Sequence, residues 1–291
     1  MSLIGITASA LRPVTVTGGT LYTDGSFNYR VFTGNGTLGI TGGNLVCDVM
    51  VIAGGGAGGT GGIAGGGGAG GFLVSTSQSL TGNISVTIGG GGTGSATEAN
   101  VTNGSNSTVG SITASVGGGV GGCGNAPFKD SGSGGSSGGV RFESPNSNIG
   151  SPTSGQGNTG ARGSSSTDSG GGGGAGAAGS AGTGGNQSGA GGAGTSSYSS
   201  WGSATGTGQN VSGTYFYAGG GGGGGAGGVG GLSQPLFAAA NACFCASGSL
   251  PASIMPDKVP VKKVAIGIIN SKNFWSIGEI AFSGCVTKII E

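Results

Sequence analysis

The chain has 291 residues, 79 of them glycine, with only 7% charged residues and a formal net charge of +1. The near-neutral balance and the lack of Lys/Arg clusters exclude nucleic acid as a partner. No window approaches the roughly 18 apolar residues of a membrane-spanning helix. With no histidine in the sequence, Ser–His–acid catalysis and imidazole metal sites are excluded as well.

The elements are expected in this order. Residues 1–22 hold two short apolar stretches, LIGI and PVTVT, and a turn at Gly18 and Gly19, and form an N-terminal docking segment. Residues 23–116 read as a small antiparallel β-sandwich that carries the first glycine blocks. FNYRVF places Phe27, Tyr29 and Val31 on one face, and the β-branched run Leu45 to Ala53 reads as a central strand. Strands follow at Phe72 to Thr76, at Asn83 to Ile88 and at Ser111 to Val116. The last two alternate, with Ile84, Val86 and Ile88 on one face, then Ile112, Ala114 and Val116. The DG pair at Asp24 and the GNG at Gly34 to Gly36 supply turns. Residues 117–231 are mostly Gly, Ser, Ala and Thr, punctuated by Phe128, Arg141, Phe142, Arg162, Tyr198, Trp201 and the run TYFY. Residues 232–291 form a C-terminal extension, either strands returning to the sandwich or a docking element. A short helix is expected in SQPLFAAANACFCASG, and strands in VKKVAIGII and GEIAFSGCVTKIIE.

The glycine blocks, Gly54 to Gly71, Gly170 to Gly194 and Gly219 to Gly231, are either flexible linkers or ordered rods. Glycine loses about 1–2 kcal/mol per residue on ordering, which favours the linker. Disordered chains, however, are charged and poor in β-branched residues, and these blocks are bracketed by apolar alternating runs. The ordered alternative is a sheaf of polyglycine II helices. These are three-residue-per-turn rods that only glycine allows to pack closely on every side. Each rod must then bond its N–H and C=O groups to its neighbours, with Cα–H···O contacts added. The blocks lack a strict Gly-X-Y period, which points to a single-chain sheaf clamped by a β scaffold rather than a collagen triple helix. The expected fold is mainly β, a small antiparallel sandwich with an inserted polyglycine II bundle and little or no α-helix.

Catalytic motifs dissolve on inspection. Gly54, Gly56 and Gly59 fit G-x-G-x-x-G after a strand, but no helix can follow and the next carboxylate is Glu98. Gly135 to Gly139 fits G-x-S-x-G without any histidine to serve it. The acidic residues are scattered, and Cys243 and Cys245 have no second pair nearby. No cofactor, no metal and no enzymatic activity are expected. The five cysteines, Cys47, Cys123, Cys243, Cys245 and Cys285, are odd in number and sparse, unlike a disulfide framework. Together with a start, MSLIGITASALRP, that lacks a secretory signal, they imply assembly in a cytoplasm. The aromatic residues near the ends of the glycine blocks read first as caps on the rod stack. Their functional reading is loops that meet a receptor, with Tyr198, Trp201, Phe128 and Arg141 as candidates and Trp201 the one expected to be exposed.

The succession GGTLYTDGSFNYRVFTGNGTLGITGG, VMVIAGGGAGG, GGGGAGGF, ISVTIGGGGTG and ASVGGGVGG resembles the glycine-rich domain of bacteriophage tail and fibre proteins, over roughly residues 18–231. A looser resemblance links it to the glycine-rich ectodomain of the anaplastic lymphoma kinase receptor family, where a jelly-roll-like sandwich carries polyglycine helices. In kind it is also similar to T-even-type fibre-tip adhesins. These resemblances imply a virion structural protein, of tail, fibre or capsid attachment, that is assembled in the host cytoplasm. Its loops would bind a host receptor, a cell-surface glycan or an outer-membrane protein. The partners implied are other virion proteins, with multiple copies and a homo-oligomer open. The alternatives are a purely structural spacer or decoration protein, an ice-binding glycine-rich protein, and a secreted cell-wall protein.

Overall fold

The computed structural model describes residues 13–95, 101–124, 130–142 and 148–226, together with the backbone of two strands at 243–247 and 263–267. The strands are β1 (Thr15–Thr17), β2 (Thr20–Thr23), β3 (Phe27–Val31), β4 (Gly36–Ile52), β5 (Phe72–Thr87), β6 (Thr108–Val109), β7 (Gln209–Val211), β8 (Thr214–Phe216), β9 (Cys243–Ser247) and β10 (Lys263–Gly267). One short helix, α1 (Ser199–Thr205), is present among the described residues. The fold is mainly β with antiparallel pairing predominant, as expected. The sheet runs β2-β3-β10-β4-β5-β6, with β1 and β9 also paired to β4, while β7 and β8 form a separate hairpin. The parallel members are β10 beside β3 and one β10 pair to β4.

β4 organises the core. On one face Leu38, Ile40, Leu45, Cys47, Val49 and Val51 are buried with Phe32, Val86 and Val109. On the other, Met50 and Ile52 are buried with Tyr29, Val31 and Tyr217. Ile40 and Leu45 would fall on opposite faces of an unbroken strand. A bulge prevents this, because five steps along β4 from Ile40 face only two along β5, with Gly42 at φ +88° inside the bulge. A second bulge sits on β5, where Ser77 takes φ +54° and donates its N–H to Asp48 Oδ1 at 2.8 Å.

Several expectations are revised. The strands foreseen at 72–76 and 83–88 are two ends of the continuous β5, because the bulges absorb the irregular middle. The alternating run Ser111 to Val116 is no regular strand. Ile112 N–H closes a turn onto Val109 O, and Ser115 makes a single bridge to Ser107 before the chain enters a rod. Within the helix foreseen in SQPLFAAANACFCASG (233–248), residues 243–247 form β9; VKKVAIGII contains β10, and the final GEIAFSGCVTKIIE lies outside the described residues. Residues 15–17 and 20–22 of the N-terminal segment pair into the sheet. Cys47 is disulfide-bonded, although the sparse, odd-numbered cysteines do not read as a disulfide framework, whereas Cys123 is a free buried thiol.

The glycine blocks are ordered rods with a three-residue period. Ala53, Gly56 and Gly59 donate to Gly71, Gly68 and Gly65, while Gly65, Gly68 and Gly71 donate to Gly122, Gly119 and Val116, all at 2.8–3.1 Å. Gly66 and Ala69 donate to Gly170 and Gly173 and accept from Gly139 and Ser136. Gly221 and Gly224 donate to Gly67 and Ala64. Rod 64–71 is thus bonded to five neighbours, and every step along it is a multiple of three or its partner one residue on. A strand would step by two and an α-helix by 3.6, so this spacing identifies polyglycine II. A methyl carbon on Gly66 would lie 2.0 Å from Gly221 O, which explains why interior rods admit almost nothing but glycine.

Outer rods obey a looser rule that the sequence reading missed. Rod 157–163 places Gly157, Gly160 and Gly163 inward, and rod 176–182 does the same with Gly176, Gly179 and Gly182. Ala177, Ala178, Ser180 and Ala181 between them are exposed. Short Gly-X-X stretches are therefore present, confined to the rods with fewest neighbours.

Candidate functional site at the two ends of the rod bundle

Rods run alternately away from the sheet and back, so the bundle has a base, where chains enter and leave β4 and β5, and a distal tip. At about 3.1 Å per residue, the seven steps of rod 64–71 separate the two ends by about 20 Å. The tip collects the turns at 60–63, 163–168 and 183–188 and the chain at 124 and 141–142. Gly124 N–H donates to Thr60 O at 2.7 Å and Ala226 N–H to Thr167 O at 3.1 Å.

Asp168 fixes the tip. Its carboxylate is fully buried and accepts from Ser164 N–H at 2.6 Å, Ser165 N–H at 2.9 Å, Ser164 Oγ at 2.9 Å and Gly184 N–H at 2.7 Å. Burial alone would raise its pKa. The N–H donors of Ser165 and Gly184 and both donors of Ser164 outweigh it and hold the carboxyl below its ordinary value of 3.8. One anion thereby joins two turns from different rods. Arg141 adds a cationic tie, donating from its guanidinium to Gly124 O at 2.6 Å and Ser166 O at 3.1 Å. The exposed tip residues are small and polar, Ser164, Ser166, Thr183, Asn186 and Gln187 among them. Asn186 takes φ +68°, a left-handed conformation that asparagine tolerates.

The base is aromatic. Phe27, Tyr29, Trp201, Tyr198 and Phe72 form a row with successive ring centroids 6.2, 6.1, 5.1 and 5.9 Å apart, and Tyr217 meets Phe72 at 6.2 Å. Tyr198 and Trp201 come from α1 and its start. This helix has no side-chain cap and is made of poor helix formers, so its stability comes from packing. Gly202 lets β8 approach, since a Cβ there would overlap the Tyr215 ring. Tyr217 is 1% exposed and its hydroxyl bonds Thr207 at 3.1 Å; burial pushes its phenol up to about 12. Burial, with the Asp48 charge behind it, also raises the phenol of Tyr198.

The four residues singled out from the sequence therefore do not form one patch. Tyr198 and Trp201 are half-buried in the base, so Trp201 is not the exposed ring it was expected to be. Arg141 is at the tip with its guanidinium turned to backbone carbonyls. Phe128 lies outside the described residues. Asp168, the organiser of the tip, gave no signal in the sequence beyond being a lone acid in a Ser/Thr run. Among the described residues no three His, Cys, Asp or Glu side chains gather as metal ligands. No described helix is long and apolar enough to cross a membrane.

The sequence model of one family, described as a glycine-rich domain, matches residues 22–241, which include β3, β4, β5 and every rod named above. No curated protein and no solved structure matches the chain.

Proposed function

The chain belongs to the glycine-rich domain family, and from that premise we propose that it is a bacteriophage virion structural protein that presents host-binding turns on a rigid polyglycine II platform. The observation that carries this reading is the tying of the distal turns 163–168 and 183–188 by the Asp168 carboxylate at the end of cross-bonded rods. Turns ordered before contact lose less entropy on binding, which raises affinity for a given contact area. Exposed Ser164, Asn186 and Gln187 supply adaptable hydrogen bonding there. Host recognition would run through a cell-surface glycan or an outer-membrane protein. Other virion proteins would hold the chain through one terminal segment, residues 1–22 or 232–291, and multiple copies would add avidity. The role is mechanical and adhesive rather than enzymatic. In the test, purified chain is added to susceptible cells. Adsorption and reduced phage infection are expected, and Asn186→Trp with Gln187→Glu should abolish both. Adsorption that survives tip substitution overturns the receptor role of the tip. No adsorption at all favours a spacer or decoration protein.

A second reading has one observation in its favour. The outer rod 176–182 exposes Ala177, Ala178, Ser180 and Ala181 at threefold spacing, a flat array of small groups suited to ice. Thermal hysteresis by the purified chain would establish that reading, and its absence removes it.

A further inference from the structure

We propose that the base of the bundle holds a second binding site, a cleft that takes one unit of a neutral saccharide. The cleft is about 350 Å³ and is lined by Phe72, Gln156, Gly157, Asn158, Ala175 and Thr195. That volume lies at the small end of the roughly 300–1,000 Å³ seen for ligand sites. It opens where the rod 157–163 starts, beside the first residue of β5, and is distinct from the tip.

Four features define what fits. First, among the described residues neither the N–H nor the C=O of Gly157 has a protein partner. Second, Asn158 directs its Nδ2 to Gly174 O at 2.8 Å and Ala175 O at 3.2 Å, which fixes the amide and leaves Oδ1 as an acceptor with no bond among the described residues. Third, Gln156 is immobilised behind the cleft: its Oε1 accepts from Val116 N–H at 2.8 Å, its Nε2 donates to Ala114 O at 3.1 Å, and its own carbonyl accepts from Phe72 N–H at 2.9 Å. The wall is therefore rigid. Fourth, the half-buried ring of Phe72 lines one side and continues into Tyr198 and Trp201 of the aromatic row.

No lining residue is ionisable, so a charged ligand would lose its hydration with nothing to replace it. A purely apolar ligand would leave the free donor and acceptors unmatched. A sugar ring answers both demands, with an apolar C–H face for Phe72 and hydroxyls that donate to Asn158 Oδ1 and Gly157 O and accept from Gly157 N–H. Thr195 Oγ1, now 3.1 Å from Ser197 Oγ, sits at the rim.

Saturation-transfer NMR on the full chain tests this with maltotriose, N,N′,N″-triacetylchitotriose and lactose as neutral probes and sialyllactose as the charged one. At least one neutral probe should show transfer. Phe72→Leu, which keeps apolar bulk in the core, should weaken its affinity at least about tenfold. Thr195→Trp, which fills the rim, should abolish it, with thermal unfolding confirming that each variant folds. Arg141→Ala at the tip should leave it unchanged. Transfer to no neutral probe, transfer to sialyllactose alone, or binding that survives both cleft variants overturns the proposal. None of those results bears on adsorption through the tip.

Discussion

Replacing Gly66 by alanine separates an ordered rod from a loose glycine linker more sharply than any other single change. A methyl there would sit 2.0 Å from Gly221 O and 2.9 Å from Gly172 N, against an ordinary contact of at least 3.4 Å. Both neighbours are backbone, so no side chain can swing aside; the rods must part by more than an ångström. The bonds at risk are Gly66 N–H to Gly170 O, Gly139 N–H to Gly66 O and Gly221 N–H to Gly67 O, at 3.1, 2.8 and 2.9 Å. A buried backbone group left without its partner costs about 1–3 kcal/mol, so disturbing three bonds destabilises by about 3–9 kcal/mol. That is a large share of a domain's stability of roughly 5–15 kcal/mol. Gly58→Ala is the control. It lies in the adjacent rod, is exposed, and has nothing within 4 Å of the added carbon. Its only effect should be on the unfolded chain, a gain of roughly 0.4–1 kcal/mol. Thermal and urea unfolding followed by circular dichroism should place Gly66→Ala about 10 °C or more below Gly58→Ala. Equal stability of the two variants would refute close packing of the rods.

Three further outcomes follow from the two ends of the bundle. The folded pKa of Asp168 is lowered relative to 3.8, so its stabilisation is present above pH 3.8 and is lost as pH falls below that toward the folded value. Acid unfolding should therefore steepen below pH 4 in the native chain and flatten there in Asp168→Asn, which should be less stable at pH 7. Trp201→Ala removes edge-on contacts with Tyr29 and Tyr198, and calorimetry should record a loss of roughly 2–3 kcal/mol, less than for a fully buried ring. Ultraviolet titration of the folded chain should leave Tyr217 protonated past pH 11, because burial pushes its phenol up to about 12; ionisation near 10 would contradict the packing of the base.

Much of the sheet was legible because alternation is a local signal. Phe27, Tyr29 and Val31 face one core, as their spacing implies, and Leu45 to Ile52 is central because it is apolar on both faces. Ser111 to Val116 carries the same alternation and is not a strand. Its fate is set by Gln156, forty residues away, which bonds Val116 N–H and Ala114 O and turns the segment into a rod. Helix α1 was invisible because Ser199–Thr205 has no helical preference and is shaped by Tyr29, Tyr198 and Tyr215. Order in the glycine blocks could be argued from packing. The Gly-X-X rule of the outer rods could not, because it depends on how many neighbours each rod has. The base cleft was hidden for a similar reason: Phe72, Asn158 and Thr195 are distant in sequence and ordinary in type.

Residue-resolved amide exchange across rod 176–182 probes the threefold rods most directly. Gly179 and Ser180 donate to Thr159 O and Ala190 O, whereas the flanking N–H groups of Ala178 and Ala181 have no partner among the described residues. In the folded chain Gly179 and Ser180 should therefore exchange slowly between two fast neighbours. Uniform exchange at random-coil rates from Gly176 to Gly194 would contradict the account.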